Sequence, residues 1–374
     1  MDEDKITGLS GFENLTIPER PLVGCLLGTA VGDAFGLPFE NLSRRRARRM
    51  FGNTDNYHFL FGKGMVSDDT EHACMTAQAL IFSGGEPEKF IRKLSRELRF
   101  WLLGLPAGVG YATLRAVLKL WIGFSGENSG VFSAGNGPAV RSPLIGICFG
   151  QDKDKMRELV RCSTRITHSD PKAEIGALAV ALGAHMAVRQ KEVSPICYYD
   201  KLQDILVEED AHEFLTYMER IIVSIGKGET TESFAASLTA SEGAAPSQGV
   251  SGYMYHTVPA VIHCWLRHQR DFRGAVTEIV RCGGDTDTTA AIVGGITGAA
   301  AGPEGIPRDW LTSLWEWPRT KQWIRELGHQ LAEVCESGSP RIPVDVPFHS
   351  VLMRNVLFLT VVLFHGLRRL LPPY

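Results

Sequence analysis

The stretch Gly283-Gly284-Asp285-Thr286-Asp287-Thr288 is followed by a run of very small residues, Thr289 to Gly302. Two glycines let the backbone turn sharply, and the run after them reads as a helix, so Asp285 and Asp287 stand at its N-terminus. A carboxylate there is stabilised by the helix dipole and accepts hydrogen bonds from the free N–H groups of the first turn. Far upstream, Ser67-Asp68-Asp69-Thr70 opens another apolar helix in the same way. Each stretch alone reads as a cap. Together they offer four carboxylates and several hydroxyl oxygens, the hard ligands that Mg²⁺ or Mn²⁺ takes. If both serve one site, two helix beginnings far apart in the chain must meet, which requires a compact fold.

The helix after the double glycine carries Ala290, Gly294, Gly298 and Gly302 on one stripe, and Gly24, Gly28 and Gly32 form a matching stripe on a helix predicted over Leu22–Val31. Bare stripes cost helix propensity and are explained if another backbone packs closely against them. We therefore expect these two helices to pack on one another in the core. Ala73 to Phe82 is apolar on all sides, so that helix is buried, and carboxylates at its start need counter-charge or metal. Amphipathic spacing predicts helices over 88–103, 111–121, 211–226, 257–268, 272–281 and 320–336. A further helix of small residues runs from Ala173 to Ala187. No convincing strand series appears. The fold class is all-α, a single compact multi-helix domain over 16–340, after a lead-in at 1–15.

Residues 341–374 read as a Pro-rich linker and an apolar tail. The apolar run Val356–Phe364, interrupted only by Thr360, is too short to cross a bilayer, so packing on the body or on a partner is expected, with a shallow membrane contact as the minor alternative. Ser43 to Arg49 holds five arginines and reads first as a solvated helix face, with an anion-facing patch as the alternative, although it lacks the interleaved aromatics of nucleic-acid binders. The formal net charge of −3 gives no general pull toward nucleic acid or anionic lipid. Eight scattered cysteines lack a C-x-x-C pair, and the acidic N-terminus lacks an apolar leader, so a cytoplasmic protein with reduced thiols is expected.

Four other features bear on a site. Asp33 reads as a buried cap. Glu40, after Pro38 and between apolar neighbours, reads equally as a loop charge or a site carboxylate. Gly135-Asn136-Gly137 leaves backbone N–H groups open, which suits a phosphate nest, although a plain turn is the simpler reading of that loop alone. His168, at a helix start, reads as a capping or packing residue.

In combination these motifs resemble the ADP-ribosylglycohydrolases, the group that includes the dinitrogenase-reductase-activating glycohydrolase and the ADP-ribosyl-acceptor hydrolases. The correspondence covers roughly residues 20 to 305. It rests on the G-x-x-x-G-x-x-x-G-D-A-F-G-x-P-x-E pattern of Gly24–Glu40, on Ser67–Thr70, on Gly135–Gly137 with Arg141 and Pro143, on Thr167-His168-Ser169, and on Gly283–Thr288. The resemblance implies an all-α fold with two divalent cations, Mg²⁺ or Mn²⁺. It implies hydrolysis of the glycosidic bond between ADP-ribose and an acceptor, on a mono-ADP-ribosylated protein or a small ADP-ribosylated molecule. It also implies roles: Ser67, Asp68, Asp69, Asp285, Asp287 and Thr288 as metal ligands, and Glu40 as a mobile carboxylate near them. Glu40, Asp68 or Asp69 would move protons, Gly135, Asn136 and Gly137 would cradle the diphosphate, and His168 and Tyr253 would line the ribose or adenine end. There is one departure: Gly108 stands where nitrogenase-regulating members carry an Asp, which puts arginine specificity in question. The alternative is a non-catalytic ADP-ribose-binding or structural protein on the same fold, against which the four clustered carboxylates argue.

Overall fold

In the computed structural model, residues 19–52, 55–207, 209–240 and 249–371 are described, and they wind into seventeen α-helices with only isolated β-bridges between them. The expected lead-in at 1–15 and residues 241–248 of the expected Gly/Ala/Ser-rich loop lie outside the described residues. The first half of the chain forms α1 (Glu19–Gly36), α2 (Arg44–Phe51), α3 (Asp68–Ser83), α4 (Pro87–Leu103), α5 (Tyr111–Trp121), α6 (Gly137–Phe149), α7 (Lys153–Arg165) and α8 (Pro171–Arg189). Then come α9 (Pro195–Ile205), α10 (His212–Gly226), α11 (Thr231–Ala240), α12 (Met254–His268) and α13 (Phe272–Arg281). The last four are α14 (Thr286–Ala301), α15 (Arg308–Ser313), α16 (Lys321–Ser337) and α17 (Phe348–Arg368). The all-α reading holds, and the amphipathic helices fall within a few residues of their expected bounds. The sequence reading does not single out α7, α9, α11 or α15.

At the centre, α1 and α14 run antiparallel with their glycine stripes in contact. A Cβ added at Gly28 would lie 2.2 Å from the carbonyl oxygen of Gly294, and one at Gly298 would lie 2.4 Å from that of Gly24. Only glycine lets two backbones approach this closely, which is why both helices tolerate its low propensity. Pro21 to Gly36 are all buried, so α1 is a core helix without a wet face. The α14 end is pinned by Thr286, whose Oγ1 donates to the Gly36 carbonyl at 2.9 Å. Helices α3 and α16 pack on α1, while α8, α12 and α13 pack on α14.

The arginines of Ser43–Arg49 lie on α2, which has no buried residue and is N-capped by Ser43. The tail is longer in structure than its apolar run. Arg354, Asn355 and His365 belong to a 21-residue helix, α17, which is long and apolar enough to cross a membrane, contrary to the expectation from Val356–Phe364 alone. Only 39% of its most apolar stretch is buried, against 100% for α1, the other helix among the described residues that meets that length and hydropathy. Arg354 anchors it: its guanidinium donates to both Glu316 oxygens at 2.8 Å, with both side chains buried.

Candidate active site

Helix α3 begins at Asp68 because Ser67 caps it: the Ser67 Oγ accepts from the Asp69 N–H at 3.2 Å. The rest of that N-terminus is held by Asp33, fully buried on α1. Its carboxylate accepts from the Ser67 N–H at 2.9 Å, the Thr70 N–H at 3.1 Å and the Thr70 hydroxyl at 2.5 Å. Asp33 is thus the cap expected, but of a neighbouring helix. Glu71 is taken up structurally, accepting from Trp101 Nε1 and Arg319, each at 2.6 Å. Asp68 and Asp69 are left to face an open cleft of about 970 Å³.

The second acidic helix start arrives on the opposite wall. Gly283 and Gly284 both take positive φ, 71° and 85°, and this bend brings the loop against Val250. There the Val250 carbonyl accepts from the Asp285 N–H at 2.7 Å, and the Asn41 N–H donates to the Gly284 carbonyl at 2.8 Å. Asp285, Asp287 and Thr288 therefore line the same cleft as Asp68 and Asp69, with Glu40 beside them. The convergence demanded by the two motifs is present.

Crowding of like charges shows in the acidities. Burial, then the charges of Asp68, Asp33 and Asp285, pushes Asp69 well above the usual carboxylate range, and a hydrogen bond with Thr288 partly offsets this. Burial, then Glu40, Asp285 and Asp69, does the same to Asp287. Asp68 is raised by burial and by Asp33, Glu71 and Glu40. Glu40 is raised by burial and Asp285, with Arg369 acting against the rise. A cluster of oxygen donors that repel one another to this degree suits a hard divalent cation. Among the described residues no three carboxylate, imidazole or thiol groups already close on one point as a ligand set. A cation held here would have to draw these side chains inward.

The Gly135–Gly137 loop forms the next part of the wall. The backbone N–H of Asn136 donates to the Gly252 carbonyl at 3.0 Å, and that of Met254 to Ala134 at 2.8 Å. The Asn136 amide donates to Asp285 Oδ2 at 2.6 Å and to Thr257 Oγ1 at 2.8 Å. In this arrangement the Asn136 side chain orients a carboxylate, while Gly135 and Gly137 line the cleft with α6 opening at Gly137. His168 lines it too, 3% exposed, and burial with nearby Arg141 pushes its pKa down to about 3. Two expected residues are not on the lining. The Ser67 Oγ accepts the capping bond and keeps one lone pair, and Tyr253 turns its hydroxyl to accept from Lys172 Nζ at 2.9 Å while Gly252 and His256 bound the cleft. Gly108 is on the lining, with φ 83°, and a Cβ there would lie 3.6 Å from Asp68 Oδ1.

His72, not singled out from the sequence, lies one turn beyond Asp68 on the same face of α3 and also lines the cleft. Arg141, fully buried, donates to Ser163 Oγ at 3.1 Å, the Ser163 carbonyl at 2.8 Å and Thr167 Oγ1 at 2.7 Å. Its remaining nitrogen lies 3.4 Å from His72 Nδ1. Guanidinium only donates, so Nδ1 accepts and the proton sits on His72 Nε2, which is buried without a hydrogen-bond partner. Burial and Arg141 hold this imidazole neutral. The signal in the sequence is its spacing from Asp68 and Asp69, but no spacing reveals that Arg141 selects its tautomer.

A model of the ADP-ribosylglycohydrolase family matches residues 16–341. The chain is 27% identical over 322 residues to an uncharacterised protein of Archaeoglobus fulgidus, covering 84% of this chain and 97% of that one. It is 25% identical over 307 residues to the ADP-ribosyl-[dinitrogen reductase] glycohydrolase of Rhodospirillum rubrum, covering 80% and 91%. It is 26% identical over 349 residues to the ADP-ribosylhydrolase ARH3 of Xenopus tropicalis, covering 82% and 94%. In fold it matches a solved ADP-ribosylglycohydrolase-related protein complex at TM-score 0.62 and 24% identity, over 86% of this chain and all of that one. With an acidic cleft built between two helix starts and a family match across nearly the whole helical body, this chain belongs to the ADP-ribosylglycohydrolase family.

Proposed function

We propose that this protein hydrolyses the glycosidic bond between ADP-ribose and an acceptor, reversing mono-ADP-ribosylation with the help of two divalent cations, Mg²⁺ or Mn²⁺. The observation that carries the proposal is the meeting of Asp68 and Asp69 with Asp285, Asp287 and Thr288 in one cleft, next to a glycine loop at a helix start. Asp68, Asp69, Asp285, Asp287 and Thr288 would hold the cations. Ser67 supports the set from behind by capping α3 rather than by facing the cleft. When bound, the cations supply Lewis acidity toward the ribose hydroxyls and lower the pKa of a water molecule.

The chain's own residues do the rest. Asn136 keeps Asp285 oriented. The N–H of Gly137, at the positive end of α6, receives the diphosphate, beside Gly135, whose own N–H donates to Ser133 Oγ at 3.3 Å. Glycosidic cleavage at ribose passes through an oxocarbenium-like state, which needs an acid for the leaving group and a base for water. Glu40 has the environment for that exchange: its pKa is raised by burial and Asp285, and it stands on a short turn after Phe39. The free thiols, four of them fully buried, suit a cytoplasmic setting. The acceptor is a modified protein side chain such as arginine or serine, or a small ADP-ribosylated molecule. With Gly108 beside Asp68, there is no carboxylate at that point to engage an arginine linkage, which favours another acceptor.

The test is incubation of the protein, with Mg²⁺ or Mn²⁺, against mono-ADP-ribosylated substrates of known linkage, with chromatography of free ADP-ribose. Release from at least one linkage, abolished by a chelator, is expected. Binding of ADP-ribose without release from any conjugate would instead establish a non-catalytic binding protein.

A further inference from the structure

The proposed hydrolysis assigns no chemistry to two helices, the arginine-rich α2 and the apolar α17. The structure joins them. Arg46 on α2 donates to the Arg369 carbonyl at the C-terminal end of α17, and the Arg369 guanidinium donates to the Pro38 carbonyl at 3.1 Å.

Helix α17 is apolar on its exposed face as well as on its packed one. Its polar side chains face the body: Arg354 is paired with Glu316, the Asn355 amide donates to the Gly104 carbonyl at 2.8 Å, and His365 is bonded to the Phe59 carbonyl. Its apolar side chains divide: Val351, Phe358 and Val361 are buried against the body, while Met353 64%, Leu363 58%, Phe364 64% and Leu367 65% are exposed. Phe61 and Leu105, close in the chain to the α17 partners Phe59 and Gly104, are 98% and 63% exposed. A contiguous apolar face of this kind marks contact with lipid or protein.

Charge decides between the two. The helix contains no Asp or Glu, its end exposes Arg368, and α2 exposes Arg45, Arg48 and Arg49. The carboxylate beside α2, Glu232, is already engaged by Arg44 and Arg48 at 3.6 and 3.4 Å. A second copy seated on this face would bring arginines to a helix without a carboxylate to receive them. An anionic lipid surface satisfies both features, the apolar side chains entering the acyl boundary and the guanidinium groups meeting the headgroups. Crossing the bilayer is a different matter. It would tear Arg354, Asn355 and His365 from the body and carry a guanidinium into hydrocarbon. We infer that the face made by α17 and α2 docks this protein, with the helix lying flat, on an anionic membrane surface.

The test is flotation of the full-length protein with phosphatidylcholine vesicles, with and without phosphatidylglycerol. Binding to the anionic vesicles is expected, weakening as salt is raised and at least tenfold tighter than to neutral ones. Leu363→Glu with Phe364→Glu should abolish it, and Arg45→Glu with Arg368→Glu should weaken it at least tenfold, all with the wild-type melting temperature because these side chains already face solvent. Equal binding to both vesicles, no binding to either, or indifference to the glutamates overturns the inference. So does a stable dimer that Phe364→Glu dissociates, which would assign the face to a second copy. None of these readouts depends on hydrolysis.

Discussion

Asp287 and His72 are two different kinds of cleft side chain, and the proposed function gives each a test. Asp287 is buried among Glu40, Asp285 and Asp69. Replacing it with alanine removes a repulsive charge as well as a ligand. Asp287→Ala should therefore fold with an unchanged or higher melting temperature in chelator. It should lose hydrolysis and cation binding together, by more than the roughly 10–100-fold that a supporting residue costs. Calorimetric cation titration beside the activity assay checks this, and an active variant that binds no cation would sink the mechanism. His72 contributes a neutral Nε2–H donor that the protein itself does not use. A hydrogen bond to a charged ligand oxygen is worth about tenfold or more in affinity. His72→Leu should weaken ADP-ribose binding by about that factor and leave adenosine unaffected, while His72→Gln, which retains a donor, should recover most of it. Parallel titrations of the two ligands read the result, and equal losses for both would mean a packing role.

At the level of elements, the contact of α1 with α14 governs the site. The register that sets Gly28 on Gly294 and Gly36 on Thr286 also delivers Asp285 and Asp287 to the wall facing α3. Gly28→Val would place a branched side chain where a Cβ alone already lies 2.2 Å from a carbonyl oxygen. The helices must separate, so we expect a loss of at least about 2 kcal/mol in urea denaturation. We expect cation affinity to fall as well, although Gly28 touches no ligand. Full stability with wild-type cation binding would show that the close approach is not what sets the site. This pairing was legible in the sequence, because both stripes recur every four residues and nothing else explains so many helical glycines. Helices α7 and α9 were less legible. Their caps, Asp152 and Ser194, are present, but their short apolar faces, such as Met156, Leu159 and Val160 on α7, resemble those of many exposed segments.

For the molecule as a whole, the crowded carboxylates link stability to pH. Asp33 is raised to about 6, chiefly by burial, and Asp68, Asp69, Asp287 and Glu40 are raised in the same direction. A raised folded-state pKa means the folded protein binds the proton more tightly than the unfolded chain. The stability contributed by the protonated groups is therefore lost as pH rises through the folded pKa values. For Asp33 alone the loss is on the order of 3 kcal/mol between the usual carboxylate range and neutrality. A divalent cation bound as proposed would replace those protons at the cleft carboxylates. The rise in melting temperature on adding Mg²⁺ or Mn²⁺ should therefore be small at mildly acidic pH and grow toward neutrality. His72 and His168, whose pKa values are lowered, act in the opposite sense but equally in both curves. Scanning calorimetry with cation and with chelator across that range tests it, and a cation effect independent of pH would contradict it.

What the sequence alone determined was local: which segments are helical, which helix starts are acidic, and which faces are bare enough to touch another backbone. Only the tertiary structure decided that Asp33 caps α3 rather than its own helix, that Asn136 spends its amide on Asp285, that Arg141 sets the His72 tautomer, and that α17 buries Arg354, Asn355 and His365 while leaving an apolar face exposed. The reason is physical. Periodicity and caps act through neighbours three or four residues away, whereas the partner of a buried polar group is chosen by the packing of helices that meet from distant parts of the chain.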